Sequence, residues 1–219
     1  MTGLLITMEG VEGSGKSTQI HRLADRLRSC GVPLELSKEP GGTPLCLELR
    51  ALLLEPHPTG ETWAAQAELL LFYADRAQHL ARFIRPALEA GKVVLLDRFD
   101  DSTRAYQGAQ GIPEAMLDCL SELVLGSRKP DLTLLLDLDP AASLVRVEVR
   151  NGLAEGFRET RFDGEALAFH REVRRRFLAI ALQEPHRVAV IPAQLDADAV
   201  AAAVWARVAP ALAAAGFQV

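Results

Sequence analysis

The 219-residue sequence has few cysteines, no surplus of basic charge and no long apolar run. Its three cysteines (Cys30, Cys46 and Cys119) lack the C-x-x-C spacing of zinc and redox motifs, so we expect reduced thiols. The five histidines lack H-E-x-x-H spacing and suggest no role. A formal net charge of −5 argues against a dedicated nucleic-acid binder, which normally carries excess positive charge. We therefore predict no nucleic-acid partner and no protein-bound metal cluster.

No apolar stretch continues unbroken for the roughly 20 residues that cross a bilayer. The first apolar run is short, lacks a basic flank and leads directly into a glycine-rich motif, so no signal peptide is predicted. The composition is 49% hydrophobic, which is enough for a sizeable core. The length suits one α/β domain, here 1–219. We expect a cytoplasmic, enzyme-sized domain with no membrane partner.

The motif G-x-x-x-x-G-K-[ST] organises the sequence, and its surroundings support it. An apolar, strand-like run at 4–8 precedes it, and a helical pattern at 20–27 follows it. Glycines let successive backbone N–H groups surround a phosphate, and a helix N-terminus adds partial positive charge. The motif therefore predicts a nucleoside triphosphate site formed by Gly10, Val11, Glu12, Gly13, Ser14, Gly15, Lys16, Ser17 and Thr18.

Two side chains of this motif have predicted roles. Lys16 is expected to reach the β- and γ-phosphates, and the hydroxyl of Ser17 is expected to bind Mg²⁺. Only four lysines occur beside twenty arginines, so a lysine at this position does not follow from composition. An incidental glycine-rich turn is the alternative, and the flanking strand and helix argue against it.

Strand-like runs alternate with helical patterns, which predicts an α/β fold with a parallel sheet covered on both faces. We expect the five-stranded sheet of a P-loop NTPase, with its later strands at 32–37, 93–98, 132–138 and 188–191. Helices are predicted at 45–53 (apolar face Leu45, Leu49, Leu52 and Leu53), 62–90, 113–126, 141–149, 165–182 and 196–214. A segment with little periodicity, about 150–164, is predicted to be a short lid.

Asp97 and Arg98 end a predicted buried strand, at the edge where open α/β sheets bind ligands. Asp97 is placed like a Walker B aspartate, so we expect it to hold Mg²⁺ with Ser17; a helix cap is the alternative. The planar guanidinium of Arg98 suits a second phosphate. A surface salt bridge is an equally good explanation for an arginine next to Asp97.

Three arginines lie in or beside the predicted lid: Arg150, Arg158 and Arg161. An arginine on a closing lid can stabilise charge that develops on a transferring phosphoryl group. For any one of them a solvated surface charge is the alternative. Because Gly13 leaves the phosphate loop without an arginine, we expect at least one of the three to contact phosphate.

Further motifs occur in a fixed order along nearly the whole chain. They are M-E-G at 8–10, E-P-G-G-T at 39–43, L-F-Y-A-D-R at 71–76, D-R-F at 97–99, S-T-R-A-Y-Q-G at 102–108 and P-D-L at 130–132. Together they closely resemble bacterial thymidylate kinases, and E-P-G-G-T and A-Y-Q-G are far more specific than the phosphate loop. The resemblance implies transfer of the ATP γ-phosphoryl group to dTMP, giving dTDP, with Mg²⁺, in a homodimer.

Matched residue by residue, the resemblance also implies an acceptor site. In it Phe72 stacks on the thymine ring and Arg76 bonds O4 of the base. Arg98, with Arg50 nearby, holds the acceptor phosphate. The sugar and the rest of the base are contacted by Glu12 (near the 3′-hydroxyl), Ser102, Thr103, Tyr106 (where a 2′-hydroxyl would lie) and Gln107.

The sequence departs from the family in two places. The lid motif is best matched by T-R-F-D at 160–163, which favours Arg161 over Arg158 as the catalytic lid arginine without excluding Arg158. Cys46 and Leu47 stand where a small, often glycine-containing run is common. The rival hypotheses are a kinase of another nucleotide or nucleoside, a nucleotide-dependent switch and an inactive scaffold; the absence of an N-K-x-D motif and the intact Lys16 argue against the last two.

Overall fold

A computed structural model of the chain describes residues 3–153 and 166–218. It contains a parallel sheet of five strands in the order β2-β3-β1-β4-β5. The strands are β1 (Leu4–Glu9), β2 (Leu34–Lys38), β3 (Val93–Asp97), β4 (Leu132–Asp137) and β5 (Val188–Pro192). The predicted fold class is confirmed, and every strand boundary lies within two residues of its predicted position.

Helices cover both faces of the sheet. They are α1 (Lys16–Ser29), α2 (Pro44–Leu54), α3 (Ala65–His79), α4 (Arg85–Glu89), α5 (Asp100–Ala109), α6 (Glu114–Leu125), α7 (Pro140–Leu153), α8 (Leu167–Gln183) and α9 (Ala197–Ala214). A π-helical turn, Leu80–Ile84, joins α3 to α4. The segment 62–90, predicted to form one or two helices, is therefore one helical run from Ala65 with a local irregularity before Pro86. Helix α5 was not predicted.

The central strands are buried on both faces, which explains why they are continuously apolar. Successive side chains of a strand point to opposite faces. Accordingly, Ile6 and Leu95 belong to the apolar layer that includes α1, α8 and α9. Leu5 and Val94 belong to the layer beneath α3, α4 and α6. These two layers hold the strands in place, so the polar residues at the carboxyl ends of the strands lie together at one edge of the sheet.

Within the described residues, α9 is the one helix that is long and apolar enough to cross a membrane by length and composition. Val200, Val204, Val208 and Leu212 recur every fourth residue and are buried in the core layer beside the sheet. That single apolar stripe is the pattern of a helix packed on a sheet. Its N-terminus is capped by Asp196, whose side chain accepts from the backbone of Asp198 and Ala199.

The predicted apolar face of α2 is wrong in part. Leu45 and Leu52 are 58% and 54% exposed, whereas Cys46 and Leu53 are buried. Residues seven apart lie on the same side of a helix, so Cys46 and Leu53 define the buried stripe. A tight turn at residues 39–43 precedes the helix, and its Glu39–Pro40 peptide bond is cis.

Candidate active site

A cavity of about 750 Å³ opens at the carboxyl edge of the sheet. Strand register places Lys38, Asp97 and Met8 side by side at this edge. The phosphate loop forms one end of the cavity, and side chains from α3 and α5 form the other. The topology therefore brings the two predicted half-sites into one crevice.

The phosphate loop is packed closely against two neighbouring elements. Gly10 has φ +144°, and a Cβ there would lie 2.5 Å from the carbonyl oxygen of Leu136. Gly13 has φ +69°, and a Cβ there would lie 2.6 Å from the carbonyl oxygen of Ser143 on α7. The Ser143 hydroxyl in turn donates to the carbonyl of Glu12. This packing explains why both positions are glycine.

The polar groups of the loop are turned toward its interior. The Nζ of Lys16 donates to the carbonyls of Gly10 (3.0 Å) and Val11 (2.9 Å). Burial, followed by the positive charge of Arg98, lowers the pKa of Lys16 to about 8. Among the described residues, the buried Oγ of Ser14 has no hydrogen-bond partner. A loop in this state presents donors that an incoming phosphate can take up.

Arg98 crosses from the end of β3 toward the phosphate loop. Its φ of +70° lies in the left-handed region, which non-glycine residues seldom adopt. One terminal nitrogen donates to the carbonyl of Gly10 (3.2 Å) and to Ser102 Oγ (2.9 Å), and the other to Glu12 Oε1 (3.1 Å). The Tyr106 hydroxyl donates to Glu12 Oε2 at 2.6 Å. These contacts assemble a cationic group, a carboxylate and a phenol at the middle of the cavity.

Glu9, to which the sequence analysis gave no role, supports this cluster from below. Its carboxyl accepts from the backbone N–H of Phe99 (2.7 Å) and from the hydroxyl of Ser102 (2.5 Å). Burial and the nearby Asp101 raise the pKa of Glu9 to about 8. Since Phe99 follows Arg98 directly, the bond to its N–H fixes the backbone that turns Arg98 into the cavity.

Arg76 occupies the other end of the cavity and is 2% exposed. Its Nε donates to Glu39 Oε2 (2.8 Å), and its terminal nitrogens donate to Asp100 Oδ1 (3.1 Å) and Thr103 Oγ1 (3.0 Å). The guanidinium carbon lies 5.3 Å from the centre of the Phe99 ring. Three bonds on three nitrogens orient the guanidinium, and each terminal nitrogen carries a second N–H.

Most predicted site residues line this cavity. They are Glu12, Gly13, Gly15, Lys16, Ser17, Thr18, Arg50, Phe72, Arg76, Asp97, Arg98, Ser102, Thr103, Tyr106 and Gln107. The three other residues of the loop (Gly10, Val11 and Ser14) are buried behind its surface. Arg158, Arg161 and most of the predicted lid lie outside the described residues, as does the side chain of Arg150.

Several lining residues were missed. Arg146 on α7 lines the cavity, whereas the arginines predicted to contact phosphate from the lid all follow it in sequence. Glu39 also lines it and holds Arg76, and the motif that contains Glu39 gave no hint of this contact. Arg146 lies three residues after Ser143, on the same side of α7 that meets the phosphate loop. That helical spacing was the available signal.

Comparisons with known proteins agree with this geometry. The family model described as "Thymidylate kinase" matches residues 8–204. The chain belongs to the thymidylate kinase family. A thymidylate kinase of Syntrophotalea carbinolica is 49% identical over 201 residues, covering 91% of this chain and 92% of its own length. One from Caulobacter vibrioides is 48% identical over 203 residues, covering 92% and 94% respectively.

A solved thymidylate kinase structure from Ehrlichia chaffeensis shares the fold. Its TM-score is 0.75 at 34% sequence identity, with 95% of this chain and 100% of that chain covered. The thymidylate kinase relatives thus match nearly the full length of this chain, including both ends of the cavity. The family resemblance carried by the motifs is confirmed.

Proposed function

We propose that the chain transfers the γ-phosphoryl group of ATP to dTMP, giving ADP and dTDP for dTTP synthesis. The observation that carries this proposal is the single crevice of this thymidylate kinase family member. A phosphate loop with Lys16 lies at one end of it, and Arg76 lies among buried polar side chains at the other. Arg98 lies between them, where two phosphates would meet.

The acceptor end suits a nucleotide base and sugar. Phe72 offers a half-buried ring for stacking, and Arg76 and Thr103 offer polar groups for the edge of the base. Gln107 is held by Glu68 at 2.9 Å, which orients its amide. We assign Glu12 and Tyr106 to the sugar, with Ser102 supporting Arg98, and we assign Arg50 and Arg98 to the acceptor phosphate.

The donor end suits ATP with Mg²⁺. Ser17 and Asp97 both line the cavity, and the buried Oδ1 of Asp97 has no hydrogen-bond partner in the described chain. Mg²⁺ is usually held by one or two carboxylates together with substrate phosphates, so one carboxylate and one hydroxyl fit it. When bound, the ion neutralises charge on the β- and γ-phosphates. The described residues contain no cluster of three or more acidic, His or Cys side chains that would hold a metal alone.

Catalysis in this proposal consists of positioning and charge stabilisation, with no covalent intermediate. Lys16 and Arg98 hold the donor and acceptor phosphates in line. A lid arginine, Arg161 or else Arg158, stabilises the transferring group. Closure of the lid, about 150–164, excludes water and so limits ATP hydrolysis.

The deciding experiment is a panel of nucleoside monophosphates assayed with ATP and Mg²⁺ for ADP release. We expect dTMP to be preferred, and Arg98→Ala to lower turnover by roughly 10²- to 10³-fold, the usual cost of removing one preorganised charge contact. Preference for dCMP, UMP or a nucleoside would instead favour a kinase of that acceptor. Slow hydrolysis without acceptor dependence would favour a nucleotide-dependent switch.

We also propose a cytoplasmic homodimer that pairs through α2, α3 and the segment between them. Large apolar side chains are exposed there, among them Leu47 (53%), Trp63 (42%) and Leu70 (56%). Exposed apolar side chains on adjacent elements are typical of interaction surfaces. Light scattering should give a dimer mass for the wild type and a monomer mass for Leu70→Asp. Monomeric wild-type protein would contradict this proposal.

A further inference from the structure

His79, one of the histidines to which the sequence suggested no role, is fully buried behind the acceptor end of the cavity. It is the last residue of α3, immediately before the π-helical turn. Its Nδ1 lies 3.0 Å from Glu39 Oε1, and its Nε2 lies 2.9 Å from Ser37 Oγ. The ring therefore joins strand β2 to the carboxylate that holds Arg76.

The ring of His79 is fixed by its packing as well as by these bonds. It stacks on Phe83, with ring centres 5.3 Å apart and planes inclined by 28°. On its other side, a Cβ at Gly42 would lie 2.2 Å from Nε2, so only glycine at that position leaves room for the ring. Because Phe83 belongs to the π-helical turn, the irregular turn itself supplies one wall of the histidine's site. Such turns often occur at functional sites.

Donor and acceptor chemistry gives a direction to the series of hydrogen bonds that runs from Ser37 through His79 and Glu39 to Arg76. A carboxylate only accepts, so Nδ1 of His79 donates to Glu39. In the neutral ring Nε2 then accepts, and Ser37 supplies the proton. The second oxygen of Glu39 accepts from Arg76 Nε at 2.8 Å. All the groups from Ser37 to the guanidinium are thus matched as donors and acceptors, without an unpaired member.

We propose that His79 is a positioning residue that fixes Arg76 through Glu39 and thereby sets the base preference of the acceptor site. This inference rests on the proposed function, in which Arg76 meets the base. Rotation of Glu39 would release Arg76 Nε, the one bond that ties the guanidinium to the turn at residues 39–43. The guanidinium would keep its bonds to Asp100 and Thr103 but could tilt about them. Its terminal nitrogens would then be less firmly oriented to distinguish a carbonyl on the base from an amino group.

Two single substitutions separate positioning from simple packing. His79→Phe keeps a ring against Phe83 but removes both nitrogens. His79→Asn loses the ring but places an amide nitrogen near the position of Nδ1, so it can still donate to Glu39. A positioning role predicts that Asn preserves function better than Phe, whereas a packing role predicts the reverse.

The measurements are KM for dTMP, KM for ATP and the ratio of kcat/KM for dTMP to that for dCMP. For His79→Phe we expect KM for dTMP to rise about tenfold, the size of one charge-assisted hydrogen bond, while KM for ATP stays within about twofold. The dTMP to dCMP ratio should fall, and His79→Asn should restore most of it. Ser37 lies on an edge strand and is the member of the hydrogen-bond series farthest from Arg76. Ser37→Ala should therefore cause a smaller change in the same direction.

A double-mutant cycle with Arg76→Ala completes the test, because residues acting through one group are not additive. Adding His79→Phe to Arg76→Ala should cause no further fall in the dTMP to dCMP ratio. A ratio unchanged in His79→Phe, better function in Phe than in Asn, or a full additional fall in the double variant would each overturn the inference while leaving the proposed function intact. A wild type that does not prefer dTMP, or Arg76→Ala with an unaltered ratio, would overturn both.

Discussion

The donor and acceptor ends of the cavity are built in different ways. The proposed donor end is a single loop of nine consecutive residues, in which we expect mostly backbone N–H groups to bind phosphate, and its Ser17 and Thr18 are exposed. The acceptor end gathers buried charged side chains from separate segments, such as Glu39, Arg76 and Asp100, in direct hydrogen bonds. Backbone recognises the phosphate common to all nucleotides, whereas placed side chains distinguish one base from another.

This difference also determines how each end fails. At the donor end the close packing around Gly10 and Gly13 leaves no space, so a single carbon added at either position is disruptive. At the acceptor end the side chains are held by one another, so an altered partner shifts its neighbours. Damage at one end should therefore appear chiefly in the kinetics of one substrate.

The largest effect is expected from Gly13→Ala. The new methyl would lie 2.6 Å from the carbonyl of Ser143 and 3.2 Å from Val147 Cγ2, at a φ of +69° that disfavours any side chain. The loop or α7 must move, and overpacking of this kind typically costs about 1–3 kcal/mol before the backbone strain is added. We expect kcat/KM for ATP to fall about 100-fold with a much smaller change in KM for dTMP.

Gly60→Ala is the matched control for this substitution. Gly60 also has positive φ (+76°), but nothing lies within 4 Å of the position its Cβ would take. It should lose stability through backbone strain alone, roughly 1–2 kcal/mol, with both KM values unchanged. An equal kinetic loss in both variants would show that steric contact with α7 is not the cause.

An intermediate effect is expected from Glu9→Gln, at the base of the acceptor cluster. The amide oxygen can still accept from the Phe99 N–H, but the amide nitrogen cannot accept from Ser102, so the Ser102 hydroxyl must reverse that bond or turn to another acceptor. Arg98 should then be less firmly held. We predict about a tenfold fall in kcat/KM for dTMP, with KM for ATP within about twofold, measured in the coupled assay. A fall confined to ATP would contradict the division between the two ends.

The last effect is on stability alone, with no change expected in the kinetics, and concerns Asp75, which is 1% exposed near the acceptor end. Burial and then the charge of Glu39 raise the pKa of Asp75 to about 6. Between its ordinary pKa and about pH 6 the folded state binds more protons than the unfolded state, so the free energy of unfolding falls as pH rises across this range. Above it, the loss reaches at most about 3 kcal/mol.

Asp75→Asn should reduce this pH dependence and raise the free energy of unfolding at pH 7.5, because its Oδ1 can still accept from Gly41 N (3.0 Å). The raised pKa of Glu9 should supply the slope that remains. Asp25→Asn on α1, an exposed carboxylate, should leave the pH dependence in place. Urea titrations at several values between pH 4.5 and pH 7.5 make the comparison. A slope as steep in Asp75→Asn as in the wild type would show that Asp75 does not contribute to it.

Local patterns predicted most of the fold because the strands are apolar runs and the helices have periodic apolar faces. The failures have local causes as well. Helix α5 carries mainly polar residues, since one side of it faces the cavity and buried polar groups such as Asp101 and Thr103 face inward. No apolar periodicity marks such a helix. In α2 leucines occur on several sides of the helix, so the sequence did not show that only the narrow stripe at Cys46 and Leu53 is buried.

That the phosphate loop lines the cavity was predictable from residues alone, because its members are consecutive. That Phe72, Arg98 and Tyr106 line the same cavity was predictable only through the family resemblance, because they are distant in sequence and each has an ordinary structural explanation. Even the resemblance did not reveal supporting groups such as Glu9 and His79. Their partners lie 90 and 40 residues away, at Phe99 and Glu39, and sequence spacing does not report such contacts.

Arg98 belongs to both halves of the crevice at once. The same nitrogen donates to the carbonyl of Gly10 at 3.2 Å and to Ser102 Oγ at 2.9 Å. In the proposed function, a phosphate that draws this guanidinium toward the acceptor removes a bond from the donor loop. Binding of the two nucleotides is then thermodynamically linked, and each must change the other's dissociation constant by the same factor, whichever one arrives first.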